Sequence, residues 1–129
     1  MSKSFGAMSV AQLSLLIQGG AADPLEVAET VFDSIAHYAD KAVFTALTES
    51  RAMEEARAAS KRLREGRSLG LLDGIPIAWK DLFDMEGLPT TAGSVVLAAD
   101  APAKRDAAVV GLLRHASGTR AWSPLGAPI

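Results

Sequence analysis

The sequence predicts an α/β fold in which helices come first and lead into a sheet that the chain leaves incomplete. Three observations carry this expectation. Apolar residues recur at helical spacing through Val27, Val31, Ile35 and Tyr38. At Gly74 the period changes to a strict alternation, with Ile75, Ile77 and Trp79 on one side and Pro76, Ala78 and Lys80 on the other. A further helical stretch, and no second long strand, then follows from Asp106.

Length and composition narrow the class. The chain has 129 residues and a formal net charge of -2, which suits one domain or part of one. Such a balance gives no nucleic-acid footprint and no polybasic membrane patch. With no cysteine, disulfides and thiolate chemistry are excluded, and two histidines without cysteine argue against a zinc site. The run Val10–Ile17 is interrupted by Gln12 and Ser14 and is too short to span a bilayer. Only Lys3 flanks it as a basic residue, a poor signal peptide, so a cytoplasmic location is expected.

Residues 1–8 read as a loose start. Ser9 followed by Gln12 is a capping-box pattern, and Leu13, Leu16 and Ile17 form the stripe of a short helix that Gly19 and Gly20 stop. Asp23, Pro24 and Glu26 supply an N-cap, a proline at the first helical position and an acid in the first turn of a second helix. His37 near its end reads as a surface residue, because no metal or nucleophile partner lies nearby. Ala42–Thr48 reads as a strand, with Val43, Thr45 and Leu47 on one face. Ser50–Arg64, rich in Ala, Glu and Arg, reads as a helix whose charges form a solvated face. Gly66 and Gly70 punctuate the approach to the alternating stretch, and Pro89 and Gly93 mark turns after it. Asp106 is expected to cap the last helix, with Val109, Val110, Leu112 and Leu113 apolar and His115 as a charge partner at its end. There is no internal repeat, no phosphate-loop pattern and no GxSxG elbow. The glycines of the turns alternate with prolines and threonines and face no helix start, which disfavours phosphate binding.

Lys80 is the candidate catalytic residue. It shares its strand face with small residues rather than with solvating charges. In a central strand the amine is driven toward its neutral form by desolvation, and a neutral amine can take a proton from a nucleophile. In an edge strand it would instead pair with Asp81 or Asp84 in solvent.

Three runs together suggest a family: DGIPIAWKD from Asp73 to Asp81, GLPTTAGS from Gly87 to Ser94, and DAAVVGLLRHA from Asp106 to Ala116. Their combination resembles the amidase signature family over about residues 8–116. The resemblance implies N-terminal helices leading into a mixed sheet, truncated here before the sheet is complete. It implies an amide hydrolase, or a protein like the glutamyl-tRNA amidotransferase A-subunit, acting on a small-molecule or peptide-like amide without metal or organic cofactor. It further implies a triad of a nucleophilic serine, a bridging serine on a cis peptide bond, and a lysine base that Lys80 matches. In the family a later Gly/Ser-rich segment supplies both serines, and no such run occurs here. Ser94 matches neither serine, and Ser117 and Ser123 lie in a tail that matches nothing in the family. The chain therefore has the base without the nucleophile, and is expected to be inactive alone.

Residues 1–116 thus read as the N-terminal part of an amidase-like domain and 117–129 as an aberrant or divergent tail. Arg120–Ile129 can be back-translated as CGG GCA TGG TCT CCC TTG GGC GCA CCA ATC. Read from the third base, that gives Gly-Met-Val-Ser-Leu-Gly-Arg-Thr-Asn, the G-x-V-x-x-G-[KR]-T-N pattern with which the family continues. Synonymous bases were chosen freely, but the codon of Trp122 was fixed. The tail thus reads as an out-of-frame translation of a longer amidase gene, with genuine divergence as the alternative. A non-enzymatic binding or assembly module is the second functional expectation, since an unfinished sheet leaves an open edge through which the chain can self-associate or recruit another.

Overall fold

The computed structural model describes residues 5–117, the side chains of 114–117 excepted. After a short 3₁₀ turn at Phe5–Ala7, helix α1 spans Val10–Gln18. The capping box forms as expected. Gln12 N donates to Ser9 Oγ at 3.2 Å, and Ser9 N donates to Gln12 Oε1 at 2.9 Å. Helix α2 spans Pro24–His37. Asp23 caps it by accepting from Leu25 N at 2.9 Å. Helix α3 spans Glu49–Arg64 and packs on α2 through Ala52, Ala56 and Ala59, small side chains that let two helices approach closely. Helix α4 spans Ala108–Ser117. No described helix is long and apolar enough to cross a membrane.

The expected mixed sheet is not there. Among the described residues no strand forms, neither at 42–48 nor at 74–80. A strand is defined by the neighbour it pairs with, and alternation along one segment cannot supply one. At 42–48 the chain turns after Asp40, whose carboxylate accepts from Ala42 N at 2.9 Å, and Phe44 packs against Phe32 and Ala52 of the α2–α3 pair. Residues 75–80 run without helix or turn, yet no main-chain ladder flanks them. The predicted alternation survives only in part: Ile75 and Trp79 are buried and Ala78 and Lys80 exposed, but Pro76 and Ile77 are both half-buried.

Three apolar clusters hold the chain. Phe5, Leu13, Ile17, Val27 and Ile75 join α1, α2 and the extended run. Phe32 and Ala52 join α2 to α3. Trp79, Met85 and Val110 join the run to α4. Tyr38, expected on the α2 stripe, is exposed and follows the helix, and Phe32 is buried in the core. Within α4, Val110 is buried and Leu113 packs beside it, whereas Val109 and Leu112 face outward. His37 is exposed as expected, its ring nitrogen 2.8 Å from Asp33 O. The side chain of His115 and the tail from 118 lie outside the described residues.

Long-range polar ties fix the helices to the loops. Asp73 is fully buried, at 0% exposure, and accepts from Arg62 Nη2 at 2.8 Å, Arg62 Nε at 3.2 Å and Leu69 N at 3.0 Å. Gly74 beside it has φ of 88°, and a Cβ there would sit 2.7 Å from Pro24 Cγ. Asp23 Oδ2 accepts from Ser60 Oγ at 2.6 Å and from Arg64 Nη2 at 3.0 Å, so one carboxylate both caps α2 and binds α3. Asp106 accepts from Arg51 Nη2 at 2.8 Å and from Glu86 N at 2.9 Å, tying α3 to the chain before α4.

These ties can be tested by removing one acid at a time. Asp73→Ala removes the buried carboxylate on which Arg62 and the Leu69 amide converge and should lower urea-unfolding stability by about 3 kcal/mol, whereas Glu65→Gln, at an exposed pair with Arg67, should leave it unchanged. Burial raises the Asp23 carboxyl, but hydrogen bonds from Ser60, the Leu25 amide and Arg64, with the Arg64 charge, outweigh it and hold it below its ordinary 3.8. A depressed folded-state value stabilises the fold above pH 3.8 and is lost as pH falls through the lower folded value. The stability gap between the parent chain and Asp23→Asn, followed by urea titration, should therefore narrow as pH drops below 3.8.

Candidate active-site segment around Lys80

Lys80 ends the extended run and stands at the mouth of a compact loop. Its carbonyl accepts from Leu82 N at 2.7 Å and from Phe83 N at 3.2 Å, which turns the chain immediately after it. The Phe83 ring meets the Trp79 indole edge-on, with centroids 5.6 Å apart at 72°. The Lys80 side chain is exposed, and its ammonium makes no hydrogen bond or ion pair with a described residue.

The acids that could have neutralised Lys80 are engaged elsewhere. Asp81 is buried, accepts from Thr91 N at 2.8 Å, and accepts from the Thr91 hydroxyl through its second oxygen. The Asp81 carbonyl accepts from Ala92 N at 2.8 Å. Asp84 accepts from Thr90 Oγ1 at 2.5 Å, and its carbonyl accepts from Ala107 N at 2.8 Å. An edge-strand pairing of Lys80 with Asp81 or Asp84 is therefore not what this chain forms. The two acids close the loop on itself and on the start of α4.

That closure shapes the Thr91–Ser94 turn. Ala92 and Gly93 both take positive φ, 49° and 76°, and Ser94 N returns to Thr91 O at 2.7 Å. A non-glycine residue with positive φ is uncommon, and here the Asp81 contacts to Thr91 and to the Ala92 amide hold it. The Ser94 hydroxyl oxygen accepts from Leu97 N at 3.4 Å and opens the 3₁₀ turn Leu97–Ala99, a structural use for this serine. The sequence pattern located Lys80 and the turn, but not the Asp81–Thr91 clamp, whose partners are ten residues apart in a stretch without periodicity.

Exposed apolar side chains follow the lysine along the chain. Leu82 is 57% exposed, and Val95 and Val96 are 89% and 80% exposed. On the other side of the run a cleft of about 420 Å³ opens against α2, lined by Val31, Ile35, Tyr38, Phe44, Pro76 and Ala78 among others. Trp79 Nε1 is buried with no hydrogen-bond partner. Among the described residues no group of three or more His, Cys, Asp or Glu side chains could hold a metal ion.

Removing the clamp should loosen the turn. Asp81→Ala deprives two donors of a charged acceptor and should cost about 2 kcal/mol. Thr91→Val keeps the amide bond but loses the hydroxyl bond, and should speed hydrogen exchange at the Ala92 and Ser94 amides while sparing α1 and α2.

Known proteins share this arrangement. The family model described as Amidase matches residues 26–119. The chain is 37% identical over 110 residues to the glutamyl-tRNA(Gln) amidotransferase A-subunit of Salinispora arenicola, a match that takes 84% of this chain and 22% of that protein. The corresponding A-subunit of Chloroflexus aurantiacus is 56% identical over 59 residues, 46% of this chain and 12% of its own length. The solved structure of native peptide amidase from Stenotrophomonas maltophilia superposes with a TM-score of 0.78 at 28% identity, covering 95% of this chain and 25% of that one. The chain thus spans about a fifth or less of the curated relatives it matches. It belongs to the Amidase family, and Lys80 lies inside the matched stretch.

Proposed function

We propose that this chain is the lysine-bearing part of an amide hydrolase of the Ser–Ser–Lys type. The observation that carries the proposal is the family match over residues 26–119, which includes the whole DGIPIAWKD run and the turn after it. The availability of Lys80 supports the role: its ammonium is exposed and unengaged by the described acids, so another polypeptide segment can approach it.

In this reading the Lys80 amine takes the proton of a bridging serine, which in turn activates a second serine for attack on an amide carbonyl. The acyl group passes to the serine, the C–N bond breaks, and the proton is returned to the leaving amine. Backbone N–H groups beside the nucleophile stabilise the oxyanion. Neither serine belongs to the matched motifs of this chain, and Ser94 serves its turn, so the chain alone is inactive. Completion by further polypeptide would also cover Lys80. Desolvation of a lysine favours its neutral form, which the base must adopt to accept a proton.

The relatives bear names of two kinds, a glutamyl-tRNA(Gln) amidotransferase and a peptide amidase. Their common chemistry is the amide C–N bond, and that is the substrate class proposed here. A binding or assembly module without catalysis is the second reading, favoured by the bare apolar surface at Leu82, Val95 and Val96.

In an assembled enzyme containing this segment, Lys80→Ala should lower kcat for amide hydrolysis by about three orders of magnitude or more, with the fold intact by circular dichroism. Lys80→Arg should be equally inactive, because a guanidinium stays charged. Full activity in either variant would remove Lys80 from the mechanism.

A further inference from the structure

On the reading of Lys80 as the base, we infer that Asp81 and Thr91 are its positioning residues: their clamp fixes the main chain from which the lysine side chain leaves. A lysine carries its amine on a flexible four-carbon stem, so the backbone must set the direction in which that stem starts. Lys80 is exposed between two buried neighbours, Trp79 at 7% and Asp81 at 5% exposure. Trp79 is anchored with Met85 and Val110. Asp81 accepts from the Thr91 amide at 2.8 Å and from the Thr91 hydroxyl. The Lys80 carbonyl accepts from the Leu82 and Phe83 amides, and the Asp81 carbonyl accepts from Ala92 N at 2.8 Å. The backbone is thus held on both sides of the lysine, by a packed indole before it and by the Thr91–Ala92 turn after it.

The clamp is more than the loop needs in order to fold. The far end of the loop is held separately: Gly87 N donates to Ala103 O at 2.9 Å, Ala103 N donates to Leu88 O at 2.9 Å, and Met85 is buried in the core. The Asp84 side chain accepts from Thr90, and its carbonyl from Ala107 N. What the Asp81–Thr91 clamp adds is order at the neck of the loop, beside Lys80. It does so at a cost. Asp73 meets a guanidinium, but no described cation pairs with the buried Asp81 carboxylate, which takes only the neutral donors of Thr91. Ala92 takes φ of 49°, which a side chain rarely adopts. Such strain persists where the surrounding structure over-determines it, and it collects at functional sites. Here an unpaired buried charge and a left-handed alanine meet next to the candidate base.

Four variants test this. Thr91→Val and Asp81→Ala break the side-chain clamp. Thr91→Ser keeps both donors, and Asp81→Asn keeps the shape, since its amide oxygen can accept from Thr91 N and its NH₂ can donate to the Thr91 hydroxyl oxygen. In the full chain, the Lys80 amide order parameter from ¹⁵N relaxation should be about 0.85 in the parent and fall toward about 0.6 in Thr91→Val and Asp81→Ala. It should stay near the parent value in Thr91→Ser and Asp81→Asn, and α1 and α2 should be unchanged in all four. In the assembled enzyme used for the Lys80 variants, Asp81→Ala should lower kcat per folded molecule by about a hundredfold, the effect of misplacing a reacting group by about 1 Å, with KM unchanged. Thr91→Val should lower it by at least about tenfold, and Thr91→Ser and Asp81→Asn should restore it to within about threefold of the parent. A merely structural clamp would change the folded fraction and leave kcat per folded molecule intact, and that result overturns the inference. So does a Lys80 order parameter that stays at the parent value in Thr91→Val and Asp81→Ala. Full activity in Lys80→Ala removes the base and the inference together. An inactive Lys80→Ala beside fully active Asp81→Ala and Thr91→Val sinks the positioning role alone.

Discussion

The buried carboxylate of Asp73 is the constraint on which the remainder of the structure hangs. It takes two guanidinium donors from Arg62 and the amide of Leu69, so it fixes the end of α3 to the start of the extended run. Removing a charge from water is expensive, and this pair repays it only because three donors converge on one carboxylate. Next to it Gly74 lies against Pro24 at a positive φ that side chains avoid. These two residues set the exit direction of the chain. Ile75 then enters the core beside Ile17 and Val27, Trp79 enters the cluster with Met85 and Val110, and Lys80 emerges between them and the Asp81 loop.

Local chemistry made much of this legible. The Ser9–Gln12 box, the Asp23–Pro24 start and the alanine-rich α3 are signals written within a few residues, and each formed close to where its residues indicate. Lys80 and the Thr91–Ser94 turn were legible through motif and Gly/Pro punctuation. The sheet was not, because alternation reports which side of a segment meets a core and says nothing about a neighbouring strand. The run Ile75–Lys80 has part of the burial pattern of a strand and lacks the ladder, and Ala42–Thr48 gives way to a turn around Asp40 and Phe44. The charges of α3 were read as solvated, yet Arg51 and Arg62 reach Asp106 and Asp73. Those pairings join residues far apart in the chain, and nothing in the spacing along α3 announces them.

The same distinction governs function. Motif and family place Lys80 in a chain that shares its fold with much longer enzymes. The geometry adds what the motif lacks: Asp81 and Asp84 are committed to Thr91 and Thr90, so Lys80 is neither neutralised nor covered by the acids next to it. Leu82, Val95 and Val96 after it are exposed, and the Trp79 indole before it is buried and unpaired. These exposed apolar side chains leave room for further polypeptide to pack beside the loop. That arrangement suits the proposed role, in which Lys80 acts as a base once further polypeptide supplies the serines and excludes water.

The most direct measurement is amide hydrolysis by the isolated chain, followed as ammonia release from a primary amide at high protein concentration. The account predicts no turnover above that of the Lys80→Ala variant, since in the proposed mechanism the lysine needs serines that the matched motifs do not supply. Turnover by the isolated chain that disappears in Lys80→Ala would contradict it, and would mean that a nucleophile for Lys80 already lies within these 129 residues.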